Sequence, residues 1–245
     1  MRTLCHHSAA MLVLGFETAT NVASVALVRD EQRIAEHAST VRAQHGETLL
    51  PLMEACLRDA AVSLGDVDLM AVSQGPGSFT GLRIGLSTVK GLWLATRVPL
   101  VGVGTLHALA ASMDTECDLR VGIFDAYKNE VFLAVYERNA AGTFEERLPP
   151  LCVGPSVAAS EVARVLQGRP AAFAGDGARK FADDFRRELG EPFVLLDARF
   201  DSPSASVVAT IGARTFRRDG SADAARLAPM YVRPAEATFK PSFAS

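Results

Sequence analysis

A glycine-rich segment, residues 73–87, has the residue types of a loop that binds an anion. An apolar run at residues 69–72 precedes it and a periodic apolar stretch follows it, so the sequence predicts a strand, a tight loop and a helix. Free N–H groups at a helix N-terminus can hold phosphate, but the same pattern is typical of a turn followed by a capped helix. Both interpretations stay open, because neither G-x-x-x-x-G-K-[ST] nor G-x-G-x-x-G is present and no lysine follows until Lys90.

Two carboxylates, Glu17 and Asp125, each follow an apolar run that predicts a buried strand. Enzymes of duplicated α/β type that use phosphate and magnesium keep carboxylates at such positions. Their usual companion is a glycine-rich turn, and residues 17–21 contain no glycine. The alternative is a structural role, in which these side chains accept hydrogen bonds from N–H groups of their own turns.

A metal-dependent hydrolase would need paired ligands, commonly two histidines on one helical face. His45 begins a predicted helix, but Thr48 and Leu49 occupy the positions three and four residues later. Neither a G-x-S-x-G elbow nor a local Cys/His arrangement occurs in the chain. The sequence therefore gives catalysis, including metal-dependent catalysis, little support.

Composition is that of an ordinary globular protein, with 245 residues, 49% hydrophobic and 22% charged. A net charge of −3 gives no overall basic footprint for nucleic acid, so we expect a partner to hold any RNA that this chain serves. The four scattered cysteines favour reduced thiols in a cytoplasmic protein over a disulfide framework. The apolar run at residues 11–16 is too short for an export signal or a membrane span, and we expect no membrane association.

Glycines recur every fourth residue in the predicted helix, at Gly77, Gly81 and Gly85. They leave one helical face without side chains, and each costs about 1 kcal/mol relative to alanine inside a helix. Another backbone must therefore pack closely against this face. The sequence leaves two neighbours open, namely a sheet of the same chain or a partner subunit.

An internal repeat indicates the architecture. An offset of 108 residues pairs Glu17 with Asp125, and both copies consist of an apolar strand, an acidic residue, a short polar turn and another apolar strand. The same offset pairs Asn21 with Asn129 and Ala26 with Ala134. Helices follow each predicted hairpin, so we expect two similar α/β subdomains.

We expect the subdomains to span residues 11–105 and 106–201, with a helix and tail at 202–233 that pack back on the first. Residues 1–10 are expected to be an extension and residues 234–245 a flexible end. The predicted strands are 11–16, 22–29, 33–39, 69–72, 99–103, 145–153, 171–174 and 193–197, besides the second hairpin. The predicted helices are 46–60, 80–95, 106–113 with Thr105 as its cap, 160–167, 179–189 and 205–218.

Five segments together resemble the TsaB (YeaZ) family. These are residues 16–20, His45, the block 75–85, residues 102–106 and the tail 229–233. The resemblance covers nearly all of residues 11–233, and the Gly-Pro-Gly-Ser-Phe-Thr-Gly block is highly specific. It implies an actin-like, Hsp70-like (ASKHA) fold of two duplicated RNase H-like subdomains, in agreement with the internal repeat.

The resemblance also implies a function in making N6-threonylcarbamoyladenosine at position 37 of tRNAs that read ANN codons. Members of the family are non-catalytic subunits that pair with the catalytic paralogue TsaD and work with the ATPase TsaE, while TsaC supplies threonylcarbamoyl-adenylate. The implied contact with tRNA is indirect. No dedicated cofactor is implied, although ATP or ADP binding that is weak, or shared at the interface, stays open.

Departures from the relatives agree with a non-catalytic subunit. TsaD-type relatives, once called M22 glycoproteases, hold iron or zinc through a His-x-x-x-His pair, and this chain has only His45 in that neighbourhood. The frequent aspartate of the first turn is Glu17 here. Two other functions stay open, an ATP-dependent phosphotransferase of the same fold and a metallopeptidase, because this scaffold hosts several chemistries.

We predict that the two helices at residues 46–60 and 80–95 form the partner surface. The first carries more apolar residues than one sheet-facing stripe needs, and the glycine row would let the second approach a neighbour. A subunit on its own would cover such a surface by forming a homodimer. The alternative that stays open is that all of these residues pack inside the subunit. The predicted interface residues are His45, Leu49, Leu52, Met53, Cys56, Gly81, Arg83, Gly85, Leu86 and Lys90.

Overall fold

The computed structural model describes residues 10–40 and 45–232, with only the backbone described for residues 45–47. The expected extension at residues 1–10 thus falls almost wholly outside the described residues, and the expected flexible end at 234–245 does so entirely. Within the described part, no helix is both long enough and apolar enough to cross a membrane. The proposed subdomain boundaries stay predictions.

The first half of the chain builds a five-stranded sheet in the order β3-β2-β1-β4-β5. The hairpin strands β1 and β2 are antiparallel, whereas β1, β4 and β5 run parallel. Side chains of β1 are buried along its whole length, because helices cover both faces of the sheet. The strands are β1 (Leu12–Glu17), β2 (Val22–Arg29), β3 (Gln32–Thr40), β4 (Leu69–Gly75) and β5 (Leu100–Gly104).

The second half repeats this arrangement in the order β10-β9-β6-β7-β8. Its hairpin is β6–β7, and β6 pairs in parallel with β9 as β1 does with β4. The expected actin-like fold of two duplicated α/β halves is confirmed. The strands are β6 (Leu119–Asp125), β7 (Val131–Arg138), β8 (Phe144–Val153), β9 (Ala171–Ala174) and β10 (Phe193–Leu195).

Seven α-helices connect and cover the sheets in the described part of the chain. They are α1 (His45–Asp59), α2 (Phe79–Thr96), α3 (Thr105–Ser112), α4 (Pro155–Leu166), α5 (Asp176–Lys180), α6 (Ala182–Leu189) and α7 (Ala205–Asp219). Short 3-10 turns lie at Leu64–Asp66 and Ala198–Phe200. Helices α1 and α2 pack on one face of the first sheet, and α4 and α6 take the equivalent face of the second.

The two halves exchange helices on their remaining faces. Helix α7, at the end of the second half, packs its buried Val208, Ala209 and Ala213 against strands β1, β4 and β5. Helix α3, from the first half, packs Leu106 and Leu109 against the second sheet. Each sheet thus completes its core with a helix from the other half of the sequence.

The register of the predicted repeat needs a correction. Gly15 pairs with Ala26 and Gly122 pairs with Ala134, so the offset is 107 on the first strand and 108 on the second. Side chains alternate between the faces of a strand, and a shift of one residue exchanges the faces. Glu17 is therefore equivalent to Phe124, and Asp125 lies on the opposite face of its sheet.

Three helix starts also differ from the prediction. Thr105 does not cap α3: Gly104 is the cap residue, and the Thr105 hydroxyl accepts a hydrogen bond from the Gly75 N–H at 3.0 Å. Helix α4 begins at Pro155, because proline suits the first turn of a helix, and Ser160 lies inside it. The predicted helix at 179–189 is two helices, α5 and α6, that meet at Phe181.

Candidate functional site

In the turn after β1, a buried carboxylate is hydrogen-bonded to the backbone of the same turn. Glu17 is fully buried, and its Oε1 accepts a hydrogen bond from the Ala19 N–H at 2.6 Å. The neighbouring Thr18 N–H donates to the Ser73 hydroxyl at 3.3 Å. These two N–H groups would have to face a phosphate in a nucleotide-binding turn, and side chains of this chain already occupy both. The structural role, one of the two alternatives for Glu17, thus describes this geometry.

Burial leaves the rest of this turn short of partners. Glu17 Oε2 and the Thr18 and Ser24 hydroxyls are the buried side-chain oxygens without a hydrogen-bond partner among the described residues. Desolvation raises the pKa of the Glu17 carboxyl to about 7, against the smaller opposing effect of hydrogen bonds from Ala19, Ser73 and Thr18. Glu17 is therefore divided between its neutral and charged forms near neutral pH.

The glycine row of α2 packs against this same turn. A Cβ atom on Gly81 would meet the Thr18 carbonyl oxygen, and one on Gly85 would meet the Thr18 hydroxyl. A Cβ on Gly77 would meet Ala19, whose carbonyl also accepts a hydrogen bond from the Ser78 N–H at 2.7 Å. Close packing within the chain thus accounts for the glycine spacing, and the neighbour is the first turn rather than the sheet or a partner subunit.

Helix α2 begins as the sequence predicts. Ser78 is the cap residue, and its hydroxyl accepts a hydrogen bond from the Gly81 N–H at 3.2 Å. The capped-helix interpretation therefore describes this end of the helix, since the hydroxyl binds one of the free donors. Phe79 follows the cap and remains half exposed, with the Arg83 guanidinium 3.8 Å from its ring centre.

The tail at residues 222–230 lies along the edge of the first sheet, beside the glycine-rich loop. The Met230 N–H donates to the Gln74 carbonyl at 2.6 Å, and the Ala222 N–H donates to the Leu100 carbonyl at 2.8 Å. Lys90 Nζ reaches the Ala225 carbonyl at 3.4 Å. The tail thus runs beside α2 and along β5, from the first residue of β5 to the carboxyl end of β4, next to the glycine-rich loop.

The second turn differs from the first in charge. Asp125 Oδ1 accepts from the Tyr127 N–H at 3.0 Å, and its Oδ2 lies 2.6 Å from Lys180 Nζ in an ion pair. Asp176 accepts a hydrogen bond from the Asp125 N–H, and burial raises the pKa of Asp176. The carboxylates of the two turns therefore have different surroundings: Glu17 has no charged partner, whereas Asp125 is ion-paired.

A metal centre finds no support in the part of the chain that the structure describes, which contains no group of three His, Cys, Asp or Glu residues arranged to hold an ion. The side chain of His45 lies outside the described residues. Its role at an interface thus stays a prediction.

Most of the other predicted interface residues lie inside the subunit. Leu49, Met53, Cys56 and Leu86 are buried in the core between the first sheet and its helices, and Gly81 and Gly85 face Thr18. Leu52 and Lys90 are half-buried, and Arg83 is exposed. We correct the prediction accordingly: six of the ten residues face their own subunit and are not available to a partner in this conformation.

The outward surface of the same two helices carries apolar residues that the sequence analysis missed. Leu94 is 61% exposed on α2 and Leu50 is 43% exposed on α1. Gly91, also on α2, is exposed and has open space where a Cβ atom would be. A helical projection of α2 that assigned the glycine row to the inside would have placed Leu94 outside and Gly91 at the side of the helix.

Comparison with known proteins connects this geometry to one family. The family model described as TsaD, tRNA N6-adenosine threonylcarbamoyltransferase, matches residues 35–170, more than half of the chain. The Escherichia coli K12 protein named tRNA threonylcarbamoyladenosine biosynthesis protein TsaB is 29% identical over 225 residues, which are 91% of this chain and 95% of the relative. The Bacillus subtilis 168 protein of the same name is 28% identical over 94% of this chain and 97% of its own.

A solved structure has the same fold along most of the chain. YeaZ from Pseudomonas aeruginosa is 26% identical, with a TM-score of 0.78 over 90% of this chain and 99% of its own. Both halves are thus shared with a protein of similar length.

Proposed function

The chain belongs to the TsaD family, in its TsaB (YeaZ) branch, and on that premise we propose that it is a subunit of the assembly that synthesises N6-threonylcarbamoyladenosine in tRNA. Its part in that assembly is non-catalytic, and it supports a TsaD-like catalytic subunit. A TsaE-like ATPase works with it through the same complex. The cytoplasm is the proposed location.

The observation that carries the non-catalytic assignment is the closed turn after β1. Glu17 and Ser73 bind the N–H groups of Ala19 and Thr18, so a phosphate would have to displace a buried side chain. Ion pairing of Asp125 with Lys180 similarly satisfies the carboxylate of the second turn. These contacts argue against the phosphotransferase alternative and support a role for this chain in which the partner is the catalytic subunit.

The outward surface of α1 and α2 is the proposed contact with that partner. Leu50, Gly91 and Leu94 present apolar or open positions there, and α2 contains no acidic residue. Without side-chain bulk at Gly91, a helix of the partner can approach closely. The same surface would pair two copies of this chain when the catalytic subunit is absent, so the homodimer and the heterodimer compete.

Reconstitution tests the proposed function. We expect purified chain plus a TsaD-type subunit, with a TsaE-type ATPase and threonylcarbamoyl-adenylate, to modify tRNA, and we expect neither subunit to do so alone. Nucleoside analysis by mass spectrometry measures the product. Modification by this chain without the TsaD-type subunit, or an unchanged yield when this chain is omitted, would refute the proposal.

A matched pair of variants locates the contact. Leu94→Glu places a charge on the proposed surface, and Val157→Glu does so at a comparably exposed apolar residue on α4, at 55% exposure. We expect Leu94→Glu to weaken self-association and TsaD binding at least tenfold, because the charge must be desolvated, and Val157→Glu to weaken neither. Light scattering and calorimetry measure both. Equal effects of the two variants would place the interface elsewhere.

A further inference from the structure

Helix α2 lies between the turn after β1 and the surface proposed for the partner. Its glycine face packs on that turn, because a Cβ atom on Gly81 or Gly85 would meet Thr18. At 100° per residue, the exposed Arg83 and Leu94 lie about 200° and 220° around the helix from Gly81. The proposed partner surface is therefore the side of α2 opposite the turn. A displacement of the turn reaches that surface directly, because a helix moves as a rigid element.

The turn after β1 fixes the start of α2. The N–H of Ser78, the cap residue, donates to the Ala19 carbonyl at 2.7 Å, and a Cβ atom on Gly77 would meet Ala19 as well. Further along the helix, Leu86 and Val89 are held in the core instead. The first turns of α2 thus depend on the turn after β1, and the later turns depend on the sheet.

A single carboxyl group holds this turn through Ala19. Glu17 Oε1 accepts a hydrogen bond from the Ala19 N–H at 2.6 Å, while the carbonyl of Ala19 accepts the hydrogen bond from Ser78. The Thr18 N–H donates to the Ser73 hydroxyl of β4 at 3.3 Å. One residue therefore connects the carboxyl group of Glu17 to the cap of α2.

The second oxygen of this carboxyl group favours the neutral form. Glu17 Oε2 is buried without a hydrogen-bond partner among the described residues, and so is the hydroxyl of Ser24, which lies opposite Glu17 in the β1–β2 pairing. A buried carboxylate gains free energy when it reaches water. Water is close, because Thr20 is half-buried and Asn21 is exposed. Ionisation of Glu17 therefore favours an opened turn, and protonation favours the closed one.

Charged side chains on the surrounding elements do not offset this effect. Desolvation is the largest cause of the raised pKa of Glu17, and the opposing causes are hydrogen bonds rather than charges. Strand β4 contains no charged residue. The charged groups on the other neighbouring segments are Arg29 at the far end of β2, Glu36 of β3 at the start of α7, Arg83 and Lys90 on the side of α2 away from the turn, Asp201 in its pair with Arg179, and Arg214, Arg217, Arg218 and Asp219 at the far end of α7.

We infer that Glu17 is a positioning residue for the partner surface, and that its ionisation weakens partner binding by opening the turn that holds α2. The inference rests on the proposed function, which assigns the outward side of α1 and α2 to a TsaD-like subunit. The pKa of Glu17 is about 7 in the folded chain against the ordinary 4.5, so the closed turn is favoured below neutral pH and loses that advantage above it. The same difference limits the effect on affinity to about 300-fold.

The test compares affinities at two pH values. Calorimetry measures the binding of a TsaD-type subunit to the full chain at pH 6 and pH 8.5, for the wild type and for Glu17→Gln, whose side chain stays neutral. We expect the two to agree within about twofold at pH 6, and the wild type to bind at least about fivefold more weakly at pH 8.5. Comparison at equal pH cancels the titration of the partner and of other groups in this chain.

Two control variants separate titration from packing. Glu191→Gln removes a carboxylate at an exposed position of the second half and should match the wild type at both pH values. Gly85→Ala displaces α2 by contact with Thr18, so it should weaken binding by the same factor at both pH values. A role of Glu17 in packing alone would give the pattern of Gly85→Ala.

Hydrogen exchange tests the same coupling without the partner. Backbone amides at residues 77–86 should exchange faster in the wild type than in Glu17→Gln at pH 8.5 and at equal rates at pH 6, whereas the amides of α4 should show no difference. Circular dichroism establishes that each variant is folded. If Glu17→Gln is not, the wild type decides, because its protection at residues 77–86, corrected for the intrinsic effect of pH, must fall more than that of α4.

Equal affinities of the wild type and Glu17→Gln at pH 8.5 would overturn the inference, and so would equal protection of residues 77–86. A TsaD-type subunit that binds at neither pH value would refute the proposed function instead. The exchange measurement would then still decide whether Glu17 controls the position of α2.

Discussion

At the scale of single residues, Glu17 is the most unusual group in the described chain. A buried carboxyl without a counter-charge costs free energy when it ionises, and here hydrogen bonds from a turn and a hydroxyl offset only part of that cost. Glu17 nevertheless holds the turn against which the glycine face of α2 packs. The side chain with the raised pKa is thus the one that holds the turn on which α2 packs.

Stability should therefore depend on pH through Glu17. Its pKa is about 7 in the folded chain against the ordinary 4.5, so the folded state binds the proton more tightly than the unfolded state. The stabilising effect is complete below pH 4.5 and is lost as pH rises to about 7, amounting to about 3 kcal/mol. We expect Glu17→Gln to be more stable than the wild type at pH 8 and similar to it near pH 4.5.

Urea unfolding of both proteins at the two pH values measures this difference. Glu54→Gln, at an exposed position on α1, controls for the change in net charge. A stability difference between Glu17→Gln and wild type that is the same at both pH values would show that the carboxyl does not titrate in this range.

At the scale of elements, α2 presents three faces with three different neighbours. Its glycine face packs on the turn after β1, its sheet-facing side chains Leu86 and Val89 lie in the core, and its outward face is open at Gly91. Within the subunit, a glycine is needed for packing only where a Cβ atom would collide with a neighbouring atom. Gly85 and Gly91 share a helix and differ in this respect, so they separate packing from helix propensity.

We expect Gly85→Ala to destabilise the chain by about 1–3 kcal/mol, because the new methyl group would meet Thr18. Gly91→Ala meets nothing and should stabilise it by up to about 1 kcal/mol through helix propensity. Adding Thr18→Ala should restore part of the loss in Gly85→Ala, since it removes the nearest atom. Thermal unfolding of the wild type, Gly85→Ala, Thr18→Ala and the double variant forms the required cycle, and Gly91→Ala is measured beside it. Equal effects of the two glycine variants would mean that the close approach to the turn is absent.

At the scale of the whole molecule, the duplicated architecture was predicted from the sequence, but the exact register between its two copies was not. The hairpins and most helix and strand bounds followed from apolar periodicity, and the duplication followed from the recurring strand–turn–strand pattern. The register of the repeat was wrong by one residue on its first strand, because an acidic residue after each strand suggested an equivalence that strand pairing contradicts. Periodicity identifies two faces, but it does not tell which face meets which helix.

The site was predicted less well for a related reason. A wide apolar surface on α1 was assigned to a partner, whereas tertiary packing uses Leu49, Met53 and Cys56 for the core. Which part of an apolar surface is surplus depends on how deeply the helix sits on its sheet. The exchange of α3 and α7 between the halves, of which the packing of residues 202–233 on the first half was expected, also depends on contacts between segments far apart in sequence.

That exchange predicts how the molecule unfolds. Since α7 covers the first sheet and α3 covers the second, neither half keeps its core when the other melts, and we expect one cooperative transition. Trp93, the single tryptophan, reports on the first half through its fluorescence, while far-ultraviolet circular dichroism reports on both. The two probes should give the same urea midpoint.

A substitution in α7 tests whether this helix stabilises the fold that the two halves share. Gly212 lies against Ala71 of β4 without room for a Cβ, so Gly212→Val should push α7 from the first sheet. We expect it to lower both midpoints together, although it lies far from Trp93 in sequence. Arg218→Ala, at an exposed position near the end of the same helix, should change stability by no more than about 0.5 kcal/mol. Separate midpoints would mean that the halves fold as independent units despite their exchanged helices.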